Sequence, residues 1–312
     1  MPAAVCHPQI FFVLLHTMKQ ELSILIPTYN DVCTELVGKL CAQAKAIDRL
    51  DYEIIVADDG STDSDCTEAN QAIESMPGCI YIKRGVNVGR AAIRNYLARQ
   101  AAYRWLLFID SDMSIVDPAF LANYLNSTSE EVVYGGYRVG GGDMHNLRYL
   151  YEKAAEGGHT AEKRQRKPYK DFHTSNFMIR RDLMLAHPFD ERFRRYGYED
   201  VLFGKTLRQH GIRIEHIDNP VGFDSFEENL AFVEKTEEGL HTLYEFSNEL
   251  RGYNYLLTFV NGIHLGFVKA AIRLWHRLFG PIERHRLAGR HPNLTIFKIY
   301  KLGYYLSLTK KN

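Results

Sequence analysis

Two aspartates separated by one serine, Asp110 and Asp112, have the spacing and residue type of a cation site. They follow residues 105–109, an apolar stretch whose length and aromatic content favour a strand buried on both faces. Two carboxylates held close together repel each other, and a divalent ion carrying a phosphorylated ligand would relieve that repulsion. The alternative is an ordinary solvated turn.

The elements around this pair alternate between strands and helices. We predict strands at residues 22–27, 52–57 and 80–82, with helices at 35–47 and 62–75 between them. An alanine-rich helix reaching about residue 102 then leads into the central strand. This alternation favours a mostly parallel α/β sheet flanked by helices.

Each predicted strand of this half ends in polar residues. The strand at 22–27 is followed by Thr28 and Asn30, the strand at 52–57 by Asp58 and Asp59, and the strand at 105–109 by Asp110 and Asp112. Carboxyl ends of parallel strands share one sheet edge, so three such ends predict a nucleotide pocket there. Neither a dinucleotide fingerprint nor a P-loop motif is present.

The second half is less regular. Residues 132–139 and 174–180 are predicted strands, and a helix is predicted at 201–210. The charged run 162–170 is expected to be a solvated face, with a loop that orders over a phosphate-bearing ligand as the alternative. Glu199 and Asp200 precede the predicted helix, where negative charge is favoured.

In this order and spacing the motifs resemble glycosyltransferase family 2, which has the GT-A fold. The resemblance runs over about residues 21–223, and its later part, around residues 199–204 and 216–220, is similar to members that build bacterial surface polysaccharides. The motifs are Pro27-Thr28-Tyr29-Asn30, Asp58-Asp59-Gly60-Ser61, Asn87 and Gly89 with Arg94-Asn95, Asp110-Ser111-Asp112, and Tyr198-Glu199-Asp200.

The resemblance implies a nucleotide-sugar donor, UDP-linked, and a saccharide or lipid-linked acceptor. Asp58 would accept a hydrogen bond from the base, Thr28 and Tyr29 would line it, and Arg94 would approach the nucleotide. Mn²⁺ or Mg²⁺ would be held by Asp112 and Asp110. The remaining residues implied in donor binding are Pro27, Asn30, Asp59, Asn87, Gly89 and Ser111.

The resemblance also implies an inverting reaction in which Asp200 is the general base, with Glu199 as the second candidate. Many relatives carry a metal-binding histidine shortly after an Asn-Pro pair, but Asn219-Pro220 is not followed by one. His216 lies earlier, on a predicted strand. We expect it to pack in the core, with metal binding as the alternative.

We expect a GT-A domain over residues 18–225, in which 18–115 bind the nucleotide and 116–225 the acceptor. Residues 1–17 would be an upstream extension and residues 226–312 a helical, basic extension, with helices predicted at 226–250 and 255–279 and a stop at residues 280–281. From residue 266 onward there are ten Lys or Arg and one acidic residue, so this part carries about +9 and the rest about −9. The extension is either a helical cap or a contact with anionic lipid.

Composition sets the remaining expectations. The chain has 46% hydrophobic and 24% charged residues, which is ordinary for a globular protein. Five cysteines without a Cys-x-x-Cys pair favour a reducing, cytoplasmic setting, with peripheral contact on the inner membrane face as a further possibility. A nucleic-acid partner is not expected. Rival functions are a sugar-phosphate nucleotidyltransferase, which needs a Gly-rich basic loop after the first strand, and a non-catalytic scaffold of the same fold.

Overall fold

The computed structural model describes residues 19–309. The expectation that residues 1–17 are an upstream extension lies outside this range. Within the described residues one sheet contains seven strands, which are β1 (Glu21–Thr28), β2 (Asp51–Asp58), β3 (Cys79–Lys83), β4 (Trp105–Ile109), β6 (Val132–Tyr134), β8 (Asn176–Arg180) and β9 (Ile214–His216). Their order across the sheet is β3-β2-β1-β4-β8-β6-β9.

The first four strands of this sheet are parallel to one another, and β8 runs antiparallel to both of its neighbours. This confirms the predicted mostly parallel α/β sheet. The strands are apolar because helices cover both faces. Those of the first half are α1 (Thr34–Ala46), α2 (Ser64–Gln71), a 3₁₀ turn (Ala72–Ser75), α3 (Arg90–Gln100) and α4 (Phe120–Leu125).

The strand predicted at residues 132–139 is two strands in two sheets. After β6 the chain passes Gly135 and Gly136, and a Cβ at Gly135 would lie 2.3 Å from the Asn219 carbonyl oxygen. Gly136 has a φ of +86°, which lets the chain leave the first sheet. It then enters a second sheet with the order β5-β10-β7, formed by β5 (Met113–Ser114), β7 (Tyr137–Val139) and β10 (Val221–Phe223).

The expectation of a solvated face at residues 162–170 is wrong for Arg164. Its side chain is buried, and its guanidinium donates hydrogen bonds to the carbonyl oxygens of Gly135 and Ile217. Buried carbonyl groups need partners, and Arg164 supplies them where β6 ends. The helices of this part are α5 (Leu147–Glu156), α6 (Ala161–Gln165), α7 (Arg181–Ala186) and α8 (Glu199–Gln209).

The C-terminal region is helical, but its helix boundaries differ from the predicted ones. Instead of one helix ending at residues 280–281, there are two helices separated by residues 263–265. The second of them is long and continues through Pro281. Residue 281 is exposed, so water can satisfy the carbonyl that proline leaves unpaired. The helices are α9 (Asn229–Glu245), α10 (Tyr255–Gly262), α11 (Gly266–Ala288) and α12 (Leu294–Leu308).

Side chains from the C-terminal helices complete the hydrophobic core beneath one face of the sheet. Leu240 and Leu243 of α9, Leu257 of α10 and Leu306 of α12 belong to the same buried cluster as Phe108 of β4. The helices therefore pack onto the sheet domain. Among the described residues, no helix combines the length and apolar character needed to cross a membrane.

Candidate active site

The polar strand ends predicted to share one edge do so. In the register of β1 and β2, Thr28 lies opposite Asp58, and the backbone amide of Asp59 donates to the Thr28 carbonyl oxygen at 2.9 Å. Thr28 is buried and its hydroxyl donates to the Asp31 carbonyl oxygen, whereas Tyr29 is exposed. Pro27, the last residue before this turn, is half-buried.

The two acids at the end of β2 organise the loops at this edge. Asp58 is buried and accepts from the Ser61 amide at 2.7 Å and from the Tyr81 hydroxyl at 2.8 Å. Asp59 accepts from the Val88 amide at 3.0 Å and the Gly89 amide at 2.9 Å. Burial raises the pKa of Asp59, although these amides oppose the shift.

Further side chains fasten the same loops to one another. Asn30 has a φ of +50°, and its side-chain oxygen accepts from the amides of Thr62 and Asp63. Asn87 accepts from the Gly89 amide at 3.1 Å. A Cβ on Gly60, whose φ is +76°, would lie 2.7 Å from the Asn87 nitrogen. The predicted nucleotide-binding motifs therefore form one connected edge.

Both predicted acid pairs open into a single cleft of about 460 Å³. Asp110 and Asp112 lie in the turn after β4, with half-buried Ser111 between them, and Glu199 and Asp200 begin α8. The residue before α8, Tyr198, has a φ of +70°, a strained conformation that is often found at functional sites. The structure thus joins pairs that are far apart in sequence.

Asp112 is the member of the first pair that faces solvent within the cleft. Removal from bulk water, followed by the nearby charge of Asp110, raises the pKa of Asp112 to about 6. Its carboxylate has no hydrogen-bond donor within residues 19–309, so its oxygens are available. A cation shared with a diphosphate suits this donor set, because hard divalent ions take few protein carboxylates and complete their shell with phosphate and water.

The expectation that Arg94 approaches the nucleotide does not match its position. Arg94 is only 1% exposed and lies beneath both acid pairs. Its guanidinium donates to Asp110 and lies 3.8 Å from the Glu199 carboxylate. A buried arginine needs paired acids, and these two supply them. Arg94 thereby connects the turn after β4 with the start of α8.

The environments of Glu199 and Asp200 drive their pKa values apart. Burial and the charge of Asp200 raise the pKa of Glu199, against the opposing effect of Arg90 and Arg94. Burial would also raise the pKa of Asp200, but a hydrogen bond and the charge of His173 outweigh it and the net shift is downward. Such divergence separates the roles of two neighbouring carboxyl groups.

His173 is a residue that the sequence interpretation missed. Its Nδ1 lies 3.1 Å from the Asp200 Oδ2, and the side chain lines the cleft. Burial lowers the pKa of His173, but the hydrogen bond and the charge of Asp200 raise it further, so the net shift is upward. In the sequence it stands just before a predicted strand, 27 positions from its partner.

His216 is packed in the core, as expected, and is not available to a metal as placed. The Arg164 Nε donates to its Nδ1 at 3.2 Å, and its Nε2 lies 3.0 Å from the Pro168 carbonyl oxygen. Burial and the Arg164 charge lower the pKa of His216 to about 4. No group of three or more metal-binding side chains occurs in the part of the chain that the structure describes.

The remaining cleft wall is rich in tyrosines and cations, which the sequence interpretation also missed. The Arg90 guanidinium lies 5.1 Å from the centroid of the Tyr196 ring, and Lys301 lies over Tyr151. Aromatic faces with hydroxyl groups suit a ligand that is apolar on one face and polar at its edges. These tyrosines are Tyr137, Tyr151, Tyr196, Tyr253 and Tyr255, and they lie beside Tyr198 of the predicted motif.

The fold and the two acid pairs define an α/β domain with a carboxylate-lined cleft at one edge of its sheet, and sequence comparison identifies its family. The model of glycosyl transferase family 2 matches residues 23–186, more than half of the chain, and the protein belongs to this family. A poly(ribitol-phosphate) beta-glucosyltransferase of Bacillus spizizenii is 35% identical over 120 residues, which are 37% of this chain and 19% of that protein. The chain spans between about a fifth and about half of the length of the curated relatives it matches.

Solved structures share the fold. A mannosyltransferase of Pyrobaculum calidifontis, in complex with GDP-Man and Mn²⁺, superposes with a TM-score of 0.57 at 16% identity, covering 95% of this chain and 89% of that one. Residues 1–349 of TarS from S. aureus, in complex with UDP-GlcNAc, give 0.51 at 17% identity, covering 93% and 91%. These likenesses confirm the GT-A fold and its helical C-terminal region.

Proposed function

We propose that this protein is an inverting glycosyltransferase that moves a sugar from a UDP-linked donor to a saccharide or lipid-linked acceptor. The observation that carries the proposal is the single cleft shared by Asp110, Asp112, Glu199 and Asp200. A donor diphosphate needs charge stabilisation and an acceptor hydroxyl needs a base, and the cleft places candidates for both tasks together. Surface-polysaccharide synthesis is the setting suggested by the relatives' names.

In this proposal the edge formed by Thr28, Tyr29, Asn30, Asp58 and Asp59 holds the nucleotide. Hydrogen bonds within the chain fasten its loops to one another, and loops held in this way lower the ordering cost of binding. The ring of Tyr29 is exposed and is available to contact the nucleotide base. Buried Asp58 would act through the polar groups it orients.

Asp112, with Asp110, would hold Mn²⁺ or Mg²⁺. The ion would neutralise charge on the diphosphate as it leaves. Asp110 also accepts from Arg94, so its second oxygen is the one that remains for a cation. Asp112 contributes an acceptor without a competing hydrogen bond among the described residues.

Asp200 takes the role of general base, and Glu199 that of a buried partner. The Asp200 side chain is 19% exposed and that of Glu199 only 6%, so Asp200 is the more accessible to an acceptor hydroxyl. Its lowered pKa keeps it ionised at neutral pH. Attack on the anomeric carbon opposite the leaving diphosphate gives inversion, and the proton passes from the acceptor hydroxyl to the Asp200 carboxylate.

The tyrosine-lined wall supports a saccharide acceptor. Tyr151, Tyr196 and Tyr255 present rings and hydroxyl groups beside the acid pairs. Lys235 and Lys301 add positive charge, which suits an acceptor that carries phosphate. The two rival functions, sugar-phosphate nucleotidyl transfer and a non-catalytic scaffold, find no comparable support in the cleft.

A thermal-shift panel tests the proposal. UDP, UDP-glucose, UDP-GlcNAc and GDP-mannose are each added with and without Mn²⁺, and a ligand at 100 times its Kd adds about 2.7 kcal/mol to stability. Two results together support the proposal. A UDP-sugar stabilises the protein, and its sugar is transferred to an oligosaccharide with inversion of the anomeric configuration, as determined by NMR. Stabilisation by no nucleotide, or pyrophosphate release from a nucleoside triphosphate and a sugar phosphate, contradicts it.

A further inference from the structure

The long helix α11 exposes an apolar face that the packing of the domain does not explain. Phe267 is 71% exposed, Leu274 57%, Leu278 59% and Ile282 65%. With Ala271 these residues recur every three or four positions and so lie on one side of the helix. A contiguous exposed stripe of this kind marks an interaction surface.

The opposite side of the same helix is already occupied. Leu287 is buried, and a Cβ on Gly280 would lie 2.9 Å from the His276 ring. A Cβ on Gly303 of α12 would lie at a similar distance from the same ring, so the two helices approach closely there. The orientation of α11 is therefore fixed by packing against α12, and the apolar face is held outward.

Positive charge borders the apolar face. Arg277 and Arg286 are exposed, and neither has an acidic partner within residues 19–309. By contrast, Arg273 donates to the Leu306 carbonyl oxygen and Arg284 pairs with Glu234 and Glu237. Two of the four arginines on α11 therefore serve the fold, and the other two are available to an outside partner.

We infer that this face of α11 docks onto an anionic lipid surface. An apolar stripe beside arginines is the pattern of a helix lying in the headgroup region, where the stripe is buried and the cations meet lipid phosphates. A second copy of this chain is a poorer occupant. In a two-fold contact the same patch meets itself, so Arg277 and Arg286 would face like charges.

The exposed face of α11 also follows residues of the cleft closely along the sequence. Tyr255, the first residue of α10, lines the cleft and is 69% exposed, and Phe259 and Leu265 continue the exposed apolar residues towards α11. Vesicle binding itself requires neither donor nor acceptor, so it can fail or succeed independently of the proposed function.

Co-sedimentation of the full chain with vesicles tests the inference. Vesicles of phosphatidylcholine alone are compared with vesicles containing 30% phosphatidylglycerol, at low salt. We expect binding to the anionic vesicles and weak binding to the neutral ones. The double variant Arg277→Gln/Arg286→Gln should bind the anionic vesicles about thirtyfold more weakly, from the contribution of each cation near an anionic surface.

Matched variants separate surface effects from folding. Arg49→Gln/Arg104→Gln removes the same charge from exposed positions elsewhere and should bind like the wild type. Leu274→Gln/Leu278→Gln should lose binding to both kinds of vesicle while melting within a few degrees of the wild type, because both residues are exposed.

Two results overturn the inference. One is a wild-type protein that stays in the supernatant with anionic vesicles at low salt. The other is a concentration-dependent dimer, measured by analytical ultracentrifugation, that Leu274→Gln/Leu278→Gln abolishes while vesicle binding is unchanged. The second result would assign the face to a second copy.

Discussion

His173 Nδ1 lies 3.1 Å from Asp200 Oδ2, so the carboxylate proposed to act as base is held by an imidazole from the segment that precedes β8. The pair links the start of α8 to that segment across the cleft. This contact holds Oδ2 of Asp200. The other oxygen, Oδ1, accepts a hydrogen bond from the Val201 amide at 2.7 Å. Orientation and charge state of the base are therefore set by the same contacts.

The first prediction concerns stability and pH. The pKa of His173 is raised above its ordinary value of 6.5, so its stabilising contribution is complete below that pH and is lost as the pH rises through the raised pKa. The pKa of Asp200 is lowered below 3.8, so its contribution is present above that value and is lost only in stronger acid. His173→Gln should therefore lower the melting temperature most between about pH 4 and pH 6.5, and less at pH 9.

Thermal melts of wild type and variant across this pH range check the prediction. His264→Gln, at an exposed position, is the control and should show no pH-dependent difference. A His173→Gln deficit that is constant from pH 5 to pH 9 would show that the pair contributes through packing and not through charge.

The second prediction separates cation binding from folding. Asp112→Asn should remove Mn²⁺ binding in the presence of UDP, measured by calorimetry, and should abolish metal-dependent turnover. The melting temperature should stay the same or rise, because removal from bulk water and repulsion by Asp110 both disfavour the charged carboxylate, which has no donor within residues 19–309. Asp48→Asn, a highly exposed acid, is the control. Unchanged Mn²⁺ binding in Asp112→Asn would remove this residue from the proposed metal site.

Much of the arrangement could be predicted from local sequence. The run at residues 105–109 is short and wholly apolar, which is the pattern of a strand covered on both faces, and the acids that follow it had to lie at a strand end. Glu199 and Asp200 precede an amphipathic stretch that ends at Gly211, so their position at the start of a helix could also be predicted from the sequence.

The contacts that connect these elements could not be predicted from the sequence. The resemblance placed Arg94 at the nucleotide, and only its contacts with Asp110 and Glu199 in the folded chain show that it is buried between two acids. His173 has no motif of its own. The two-part strand around Gly135 depends on the close approach of Asn219, which is 84 positions away in the chain. Such partners are set by tertiary structure and leave no periodic signal.

The third prediction tests the proposed base. Asp200→Asn should lower turnover by about 10² to 10⁴, the range of general-base contributions, with little change in UDP-sugar binding. Glu199→Gln should weaken stability more than Asp200→Asn, since Glu199 is buried next to Arg94. Initial rates and nucleotide titrations measure the two effects. If Glu199→Gln is inactive with normal stability and Asp200→Asn retains activity, the two roles are exchanged.

The last prediction concerns Arg94 and the coupling of the two acid pairs. Arg94→Met should lower the free energy of unfolding by about 3–5 kcal/mol, because it leaves Asp110 and Glu199 as uncompensated carboxylates in a buried setting. Urea unfolding measures this loss, and Arg99→Met, on the exposed part of the same helix, should cost far less. The double variant Arg94→Met/Glu199→Gln should recover part of the stability, since one of the stranded charges is removed. No recovery in the double variant would mean that Arg94 acts through packing alone, and the two pairs would then be independent of each other.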